Sequence, residues 1–108
     1  MRYNKYGNVR VATLDGIAHD SKKEARRWAQ LNLLLKAGEI KDLRRQVKYE
    51  LIPKQDGERA CQYIADFVYF DCRNKKEVVE DCKGKRTDVY VIKRKLMLWK
   101  YGIKILET

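Results

Sequence analysis

An aspartate stands in the middle of the most apolar segment of the chain. Residues 60–70 are rich in aromatic and β-branched side chains, which predicts a central strand that is covered on both faces. Asp66 interrupts this run, and an ionised carboxylate is costly to bury unless a partner compensates its charge. The fold must therefore supply Asp66 with a proton or with a cation.

A second acid follows in the next predicted strand, over residues 77–82. A hairpin turn centred on Arg73-Asn74 places Asp66 directly opposite Asp81, where paired Cβ atoms lie about 4.5–5.5 Å apart and like charges repel. Strand alternation puts Lys83 on the same face as Asp81. Two acids and an ammonium at one end of a hairpin predict a site for a hard divalent metal, and oxygen ligands favour magnesium or manganese over zinc.

The same three residues also have a simpler interpretation. Lys83 can pair with one of the two aspartates in a structural salt bridge, and a bulge in the hairpin would break the register that brings Asp66 and Asp81 together. The residues alone leave both interpretations open.

The rest of the 108 residues predicts a single α/β domain with a mixed sheet flanked by helices. Asp15-Gly16 predicts a hairpin within residues 1–19, and residues 20–108 form the core. A helix begins at Ser21, its candidate N-cap, and ends near Gly38. It is followed by strands at 43–52, 60–70 and 77–82, a second helix at 87–100 and a last strand at 103–106.

Apolar residues recur at helical spacing in the second predicted helix. Val89, Ile92, Leu96 and Trp99 fall on one stripe, which we expect to face the core.

The charge of the chain favours a polyanionic partner. Lys and Arg number 25 against 15 Asp and Glu, a formal net charge of +10, and such a balance in a small folded domain is typical of nucleic-acid binding. The predicted DNA contacts lie in two clusters that bracket the acids: Lys22, Lys23, Lys85, Arg86, Lys93, Arg94 and Lys95. Each of these clusters could instead be an ordinary solvated helix face.

Several other classes of protein are disfavoured. No apolar run approaches the ~20 residues of a membrane span, and the N-terminal residues lack the apolar core of a signal peptide, so we expect a cytoplasmic protein with no membrane partner. Three cysteines without a Cys-x-x-Cys pair disfavour a disulfide framework and a structural zinc site.

Asp66, followed after fourteen residues by Asp81-Cys82-Lys83, resembles the signature of the PD-(D/E)XK, or restriction-endonuclease-like, superfamily. More closely, the chain resembles a small family of phage and prophage nucleases that are similar to Holliday junction resolvases. Ala65 replaces the proline of the superfamily signature, and Val47 stands where that family has proline. The stretches that carry the closer resemblance keep their order along the chain: residues 4–8, 20–25, 63–67 and 79–84.

The resemblance implies an αβββαβ core and a metal-dependent endodeoxyribonuclease with magnesium, or manganese as a substitute. It implies that Asp66, Asp81 and the main-chain carbonyl of Cys82 bind the metal, and that Lys83 orients the attacking water or stabilises developing charge. Glu24 would be an additional acidic ligand, although Ser21 and Glu24 also form a capping box in which Glu24 only caps the helix.

The implied substrate is branched DNA, most specifically the four-way junction. Because one chain holds one site and a junction is nicked in pairs, the resemblance implies a homodimer, in the cytoplasm of a bacterial host. Two alternatives stay open: a nuclease of this superfamily with another substrate (restriction-like, nicking or end-processing), and a non-catalytic basic module that binds nucleic acid.

Overall fold

The computed structural model describes residues 11–12, 18–19, 22–83 and 85–108. These residues form an α/β fold with a two-stranded ribbon, a mixed four-stranded sheet and two helices. Of the predicted N-terminal segment at 1–19, the structure describes residues 11–12 and 18–19, and the Asp15-Gly16 turn and the Ser21 cap lie outside the described residues. The elements in chain order are β1 Val11–Ala12, β2 Ala18–His19, α1 Lys22–Lys36, β3 Ile40–Ile52, β4 Cys61–Asp71, β5 Lys76–Asp81, α2 Asp88–Tyr101 and β6 Leu106–Glu107.

The strands of the larger sheet lie in the order β3-β4-β5-β6. Strands β3, β4 and β5 are antiparallel neighbours, whereas β6 pairs with β5 in parallel. The order along the chain after the ribbon is therefore αβββαβ, as predicted. The last strand is shorter and later than the predicted 103–106, because only Leu106 and Glu107 pair with β5 while Ile105 turns its side chain into the core.

The predicted register between β4 and β5 is confirmed. The turn occupies residues 72–75, and the ladder runs from Asp71 opposite Lys76 to Phe67 opposite Glu80. Asp71 closes the turn, since its carboxylate accepts hydrogen bonds from the main-chain N–H groups of Arg73 and Asn74. The observed ladder ends at Phe67 and Glu80, one residue before Asp66 and Asp81, which this register would bring opposite each other.

The two helices cover opposite faces of the sheet. Leu31 of α1 packs with Phe67 and Tyr69 on one face, which we call the α1 face. Tyr90 and Met97 of α2 pack on the other, the α2 face, together with further apolar residues of the sheet and of the segment before β6: Leu51, Tyr63, Ala65, Val68, Val79 and Ile105. Both faces of β4 are thus buried, which confirms it as the central strand.

The expected core stripe of α2 is wrong at three of its four positions. Val89, Ile92 and Trp99 are 62%, 58% and 81% exposed, and only Leu96 packs against the core. Tyr90 and Met97 are buried instead. These two residues also lie on one face of the helix, and the Tyr90 hydroxyl donates a hydrogen bond to Glu107. Both faces of this helix are apolar, so periodicity could not choose between them.

The ends of α2 follow from local chemistry. The Thr87 hydroxyl accepts a hydrogen bond from the main-chain N–H of Tyr90, which is an N-cap. Gly102 ends the helix in the left-handed conformation, with φ of 67°, and its N–H donates to the carbonyl of Leu98. Among the helices of the described residues, none is long and apolar enough to span a membrane.

The alternation of side chains along β4 is interrupted at Asp66. Ala65 packs on the α2 face and Phe67 on the α1 face, although residues two apart in a regular strand share a face. In β3, Gln46 lies between the partners of these two residues and has a φ of 55°. The distortion therefore crosses both strands at the level of Asp66, next to the end of β5.

Candidate active site

Asp81 is the most enclosed acid of the candidate site. It ends β5, is 1% exposed and accepts a hydrogen bond of 2.5 Å from the Tyr63 hydroxyl at Oδ2. Burial and this hydrogen bond raise the pKa of Tyr63, so the phenol stays protonated as the donor. Oδ1 lies 3.3 Å from Lys83 Nζ but makes no hydrogen bond of good geometry. One buried carboxylate oxygen thus remains available to a ligand.

Asp66 of the neighbouring strand β4 contacts the main chain directly after Asp81. Its Oδ2 accepts the main-chain N–H of Cys82 at 2.8 Å. Burial, with the charge of Asp81 as the next cause, raises the pKa of Asp66 to about 8 despite this hydrogen bond, and the charge of Glu24 adds to the rise. The charge of Asp81 thus disfavours the ionised form of Asp66, in line with the expected repulsion between the two acids.

Glu24 approaches from the first turn of α1 and is 6% exposed. Its effect on the pKa of Asp66 places it on the acidic side of the site. The capping-box alternative depends on Ser21, which lies outside the described residues, so the role of Glu24 as helix cap or as metal ligand stays a prediction.

The acids come near one another without forming a ready-made metal cage. Within residues 22–83 and 85–108, no group of three His, Cys, Asp or Glu side chains is arranged to hold a metal ion. The donors nevertheless suit a hard cation, because they are carboxylate oxygens and Asp81 Oδ1 lacks a hydrogen bond. A divalent ion at this point would also neutralise the charge that the fold concentrates between Asp66 and Asp81.

Lys83 stands between the acids and solvent. Its side chain is 31% exposed, and its ammonium lies 3.3 Å from Asp81 Oδ1 and 4.4 Å from the centre of the Tyr90 ring. A cation over an aromatic face is stabilised by the ring quadrupole. This ammonium supplies a counter-charge to Asp81 Oδ1.

Two cavities have cationic walls and share Lys23, and Lys83 lines the first of them. One, of about 330 Å³, is lined by Lys23, Lys83, Lys85, Arg86, Glu107 and Thr108. The other, of about 450 Å³, is lined by Lys23, Arg26, Arg27, Gln30, Cys82 and Thr108. Asp66 and Asp81 line neither cavity, so they lie behind Lys83 and the Cys82 main chain.

The residues predicted to contact DNA lie in different surroundings. Lys23 lines both cavities and donates a hydrogen bond to the carbonyl of Lys83 at 3.1 Å. Lys85 lines the first cavity, and Lys22 and Lys95 are exposed, whereas Lys93 is half-buried.

Two of the predicted DNA contacts are engaged in an ion-pair network. Arg86 and Arg94 bind Glu107 at 2.6 Å and 3.2 Å, and Tyr90 donates a hydrogen bond to the same carboxylate. The hydrogen bond from Arg86, with that of Tyr90, lowers the pKa of Glu107 to about 2. A phosphate that binds to either arginine must compete with Glu107.

The family described as Protein of unknown function (DUF1064) matches residues 3–106. The chain belongs to this family. The searches of curated proteins and of solved structures found no match. The functional assignment of this DUF1064 chain therefore rests on its residues and their geometry.

One polar pair beside the site was not predicted. Arg27 of α1 binds Glu80 of β5, which is buried on the α1 face next to Asp81. Consecutive side chains of a strand alternate between its two faces, and Glu80 accordingly lies on the opposite face of β5 from Asp81. A charged residue directly after Val78-Val79 in a strand was the available signal, because a buried Glu requires a cation.

Proposed function

We propose that this protein is a metal-dependent endodeoxyribonuclease with a PD-(D/E)XK site. The observation that carries the proposal is the convergence of Asp66, Asp81 and Lys83 where the ladder between β4 and β5 ends. Lys83 Nζ lies 3.3 Å from Asp81 Oδ1, and the charge of Asp81 raises the pKa of Asp66. Perturbed acids beside a cationic opening are typical of active sites, although ion-pair networks also perturb pKa values.

Magnesium or manganese would be held by four groups: the carboxylates of Asp66, Asp81 and Glu24 and the main-chain carbonyl of Cys82. Such an ion supplies an acidified water and neutralises charge on a phosphate. Lys83 contributes a compact positive charge at the same point. Tyr63 fixes the orientation of the Asp81 carboxylate through its hydrogen bond to Oδ2.

The cationic cavities fit DNA as the substrate. Lys23, in the first turn of α1, belongs to both and donates a hydrogen bond to the carbonyl of Lys83. A backbone that crosses Lys23 would place neighbouring phosphates on the two sides of this residue. We propose branched DNA, with the four-way junction as the specific case, and a homodimer that nicks two strands.

The test is cleavage of a synthetic four-way junction beside flap, linear and single-stranded DNA, with Mg²⁺ or Mn²⁺. Lys83→Ala should abolish cleavage and retain most junction binding, because other cations of the cavity remain. Lys48→Ala, an exposed lysine of β3, is the matched control and should cleave like wild type. Cleavage by Lys83→Ala at the wild-type rate would show that the site assignment is wrong.

A non-catalytic nucleic-acid-binding module is the second candidate. It is favoured by the burial of Asp81 and by its ion pair with Lys83, which already supplies a counter-charge. Calorimetry with Mn²⁺ separates the two candidates. A nuclease binds the ion and loses that binding in Asp81→Asn, whereas a module without a metal site gives no heat beyond dilution.

A further inference from the structure

We propose that Arg27 and Glu80 form a positioning clamp that holds Glu24 of α1 at a fixed place relative to Asp81 of β5. This inference rests on the proposed function and extends it to two residues that do not touch the metal, although Arg27 also lines the second cationic cavity. The clamp comprises the Arg27 guanidinium, the Glu80 carboxylate and the two hydroxyls that complete it, those of Tyr69 and Thr108.

The pair has two parallel charge-assisted hydrogen bonds. Arg27 Nε lies 2.6 Å from Glu80 Oε2, and Arg27 Nη2 lies 2.9 Å from Oε1. The Tyr69 hydroxyl donates to Oε1 at 2.7 Å and the Thr108 hydroxyl to Oε2 at 3.1 Å. Each carboxylate oxygen thus accepts two hydrogen bonds, and Glu80 is 0% exposed. The planar fork fixes both the distance and the angle between α1 and β5.

The position of the clamp along each element gives it a role at the site. Arg27 follows Glu24 by three residues and shares its side of α1, and Glu80 directly precedes Asp81. On the other side of Glu24, Lys23 donates to the carbonyl of Lys83. The two contacts made by α1, from Lys23 and from Arg27, therefore lie on either side of Glu24. Their partners, Lys83 and Glu80, lie on either side of Asp81 and Cys82.

The energetics of buried ion pairs favour a geometric role. Desolvation of two charges offsets most of their attraction, so apolar residues of similar volume often give equal stability. What such residues lack is the bidentate geometry. Lys in place of Arg27 retains the charge but loses the fork. Groups that orient metal ligands in this indirect way alter metal affinity about 10–100-fold when they are changed.

The experiment measures Mn²⁺ binding by calorimetry, and unfolding by urea in metal-free buffer. Arg27→Lys should weaken Mn²⁺ binding about tenfold. The triple variant Arg27→Met, Tyr69→Phe and Glu80→Leu should retain near-wild-type stability and weaken Mn²⁺ binding at least as much. Val79→Ala, a neighbour that points to the α2 face, is the control and should lose stability with unchanged Mn²⁺ affinity.

A double-mutant cycle locates the action of the clamp. If Arg27 acts through Glu24, Arg27→Lys should have no further effect on Mn²⁺ affinity in a Glu24→Gln background. Full additivity of the two changes, or wild-type Mn²⁺ affinity in Arg27→Lys and in the triple variant, would overturn the clamp alone. A wild-type chain that binds no Mn²⁺ would instead contradict the proposed function, and the clamp with it.

Discussion

Replacing Asp66 by Asn should stabilise the metal-free protein at alkaline pH. The amide has the shape of the acid and its oxygen can still accept the Cys82 N–H, but it carries no charge beside Asp81. A residue that stabilises the fold when it is replaced is typical of a functional site, because the arrangement serves the ligand at the expense of stability.

The sign follows from the pKa of Asp66, which is raised from 3.8 to about 8 in the fold. The folded state holds the proton more tightly than the unfolded state, so the free energy of unfolding falls as the pH rises from about 4 to about 8 and is level above that. The shift corresponds to at most about 6 kcal/mol. Since side chains relax and water enters, we expect a gain of about 1–3 kcal/mol for Asp66→Asn at pH 8.5.

The assay is urea unfolding in chelator, followed by tryptophan fluorescence, at intervals between pH 4.5 and pH 8.5. Trp28 stacks on Phe67 beside Asp66, with ring centres 5.8 Å apart, and reports on this region. Asp42→Asn is the matched control, since Asp42 is exposed and asparagine tolerates its φ of 54°. A difference between Asp66→Asn and wild type that does not grow with pH would refute the reasoning.

Two further results are expected. Thr87→Ala should lower the free energy of unfolding by about 1 kcal/mol, because it removes the N-cap of α2. An unchanged midpoint of urea unfolding would contradict this prediction. Junction affinity, measured by fluorescence anisotropy between 50 and 200 mM salt, should fall steeply because phosphate contacts release counterions, and a flat profile would argue against the cationic cavities as the DNA surface.

The local part of the site could be predicted from the sequence because it depends on a short hairpin. The turn at 72–75 fixes the register, and the register fixes which residues of β4 and β5 meet. Lys83 follows Asp81 by two residues and therefore comes to the same carboxylate. These relations need only strand geometry and one turn.

The parts that depend on packing between layers could not be predicted in the same way. Helix α2 has two apolar faces, and the choice of Tyr90 and Met97 over Ile92 and Trp99 depends on contacts with the sheet and with Glu107. The Arg27–Glu80 pair joins two residues that are 53 positions apart in the sequence, so local spacing does not reveal it. The interruption of β4 at Asp66 requires the paired distortion of β3, which alternation of apolar residues does not reveal.

The central claim is that Asp66 and Asp81 hold a divalent ion, that Lys83 adds a positive charge beside it, and that this site cleaves DNA. The most direct measurement is strand mapping of a synthetic four-way junction incubated with Mg²⁺ and either the wild-type protein or Asp81→Asn, purified identically. We predict symmetric paired nicks with wild type, and bound but intact junction with Asp81→Asn. An intact junction with wild type in both Mg²⁺ and Mn²⁺, or equal cleavage by Asp81→Asn, would contradict the account.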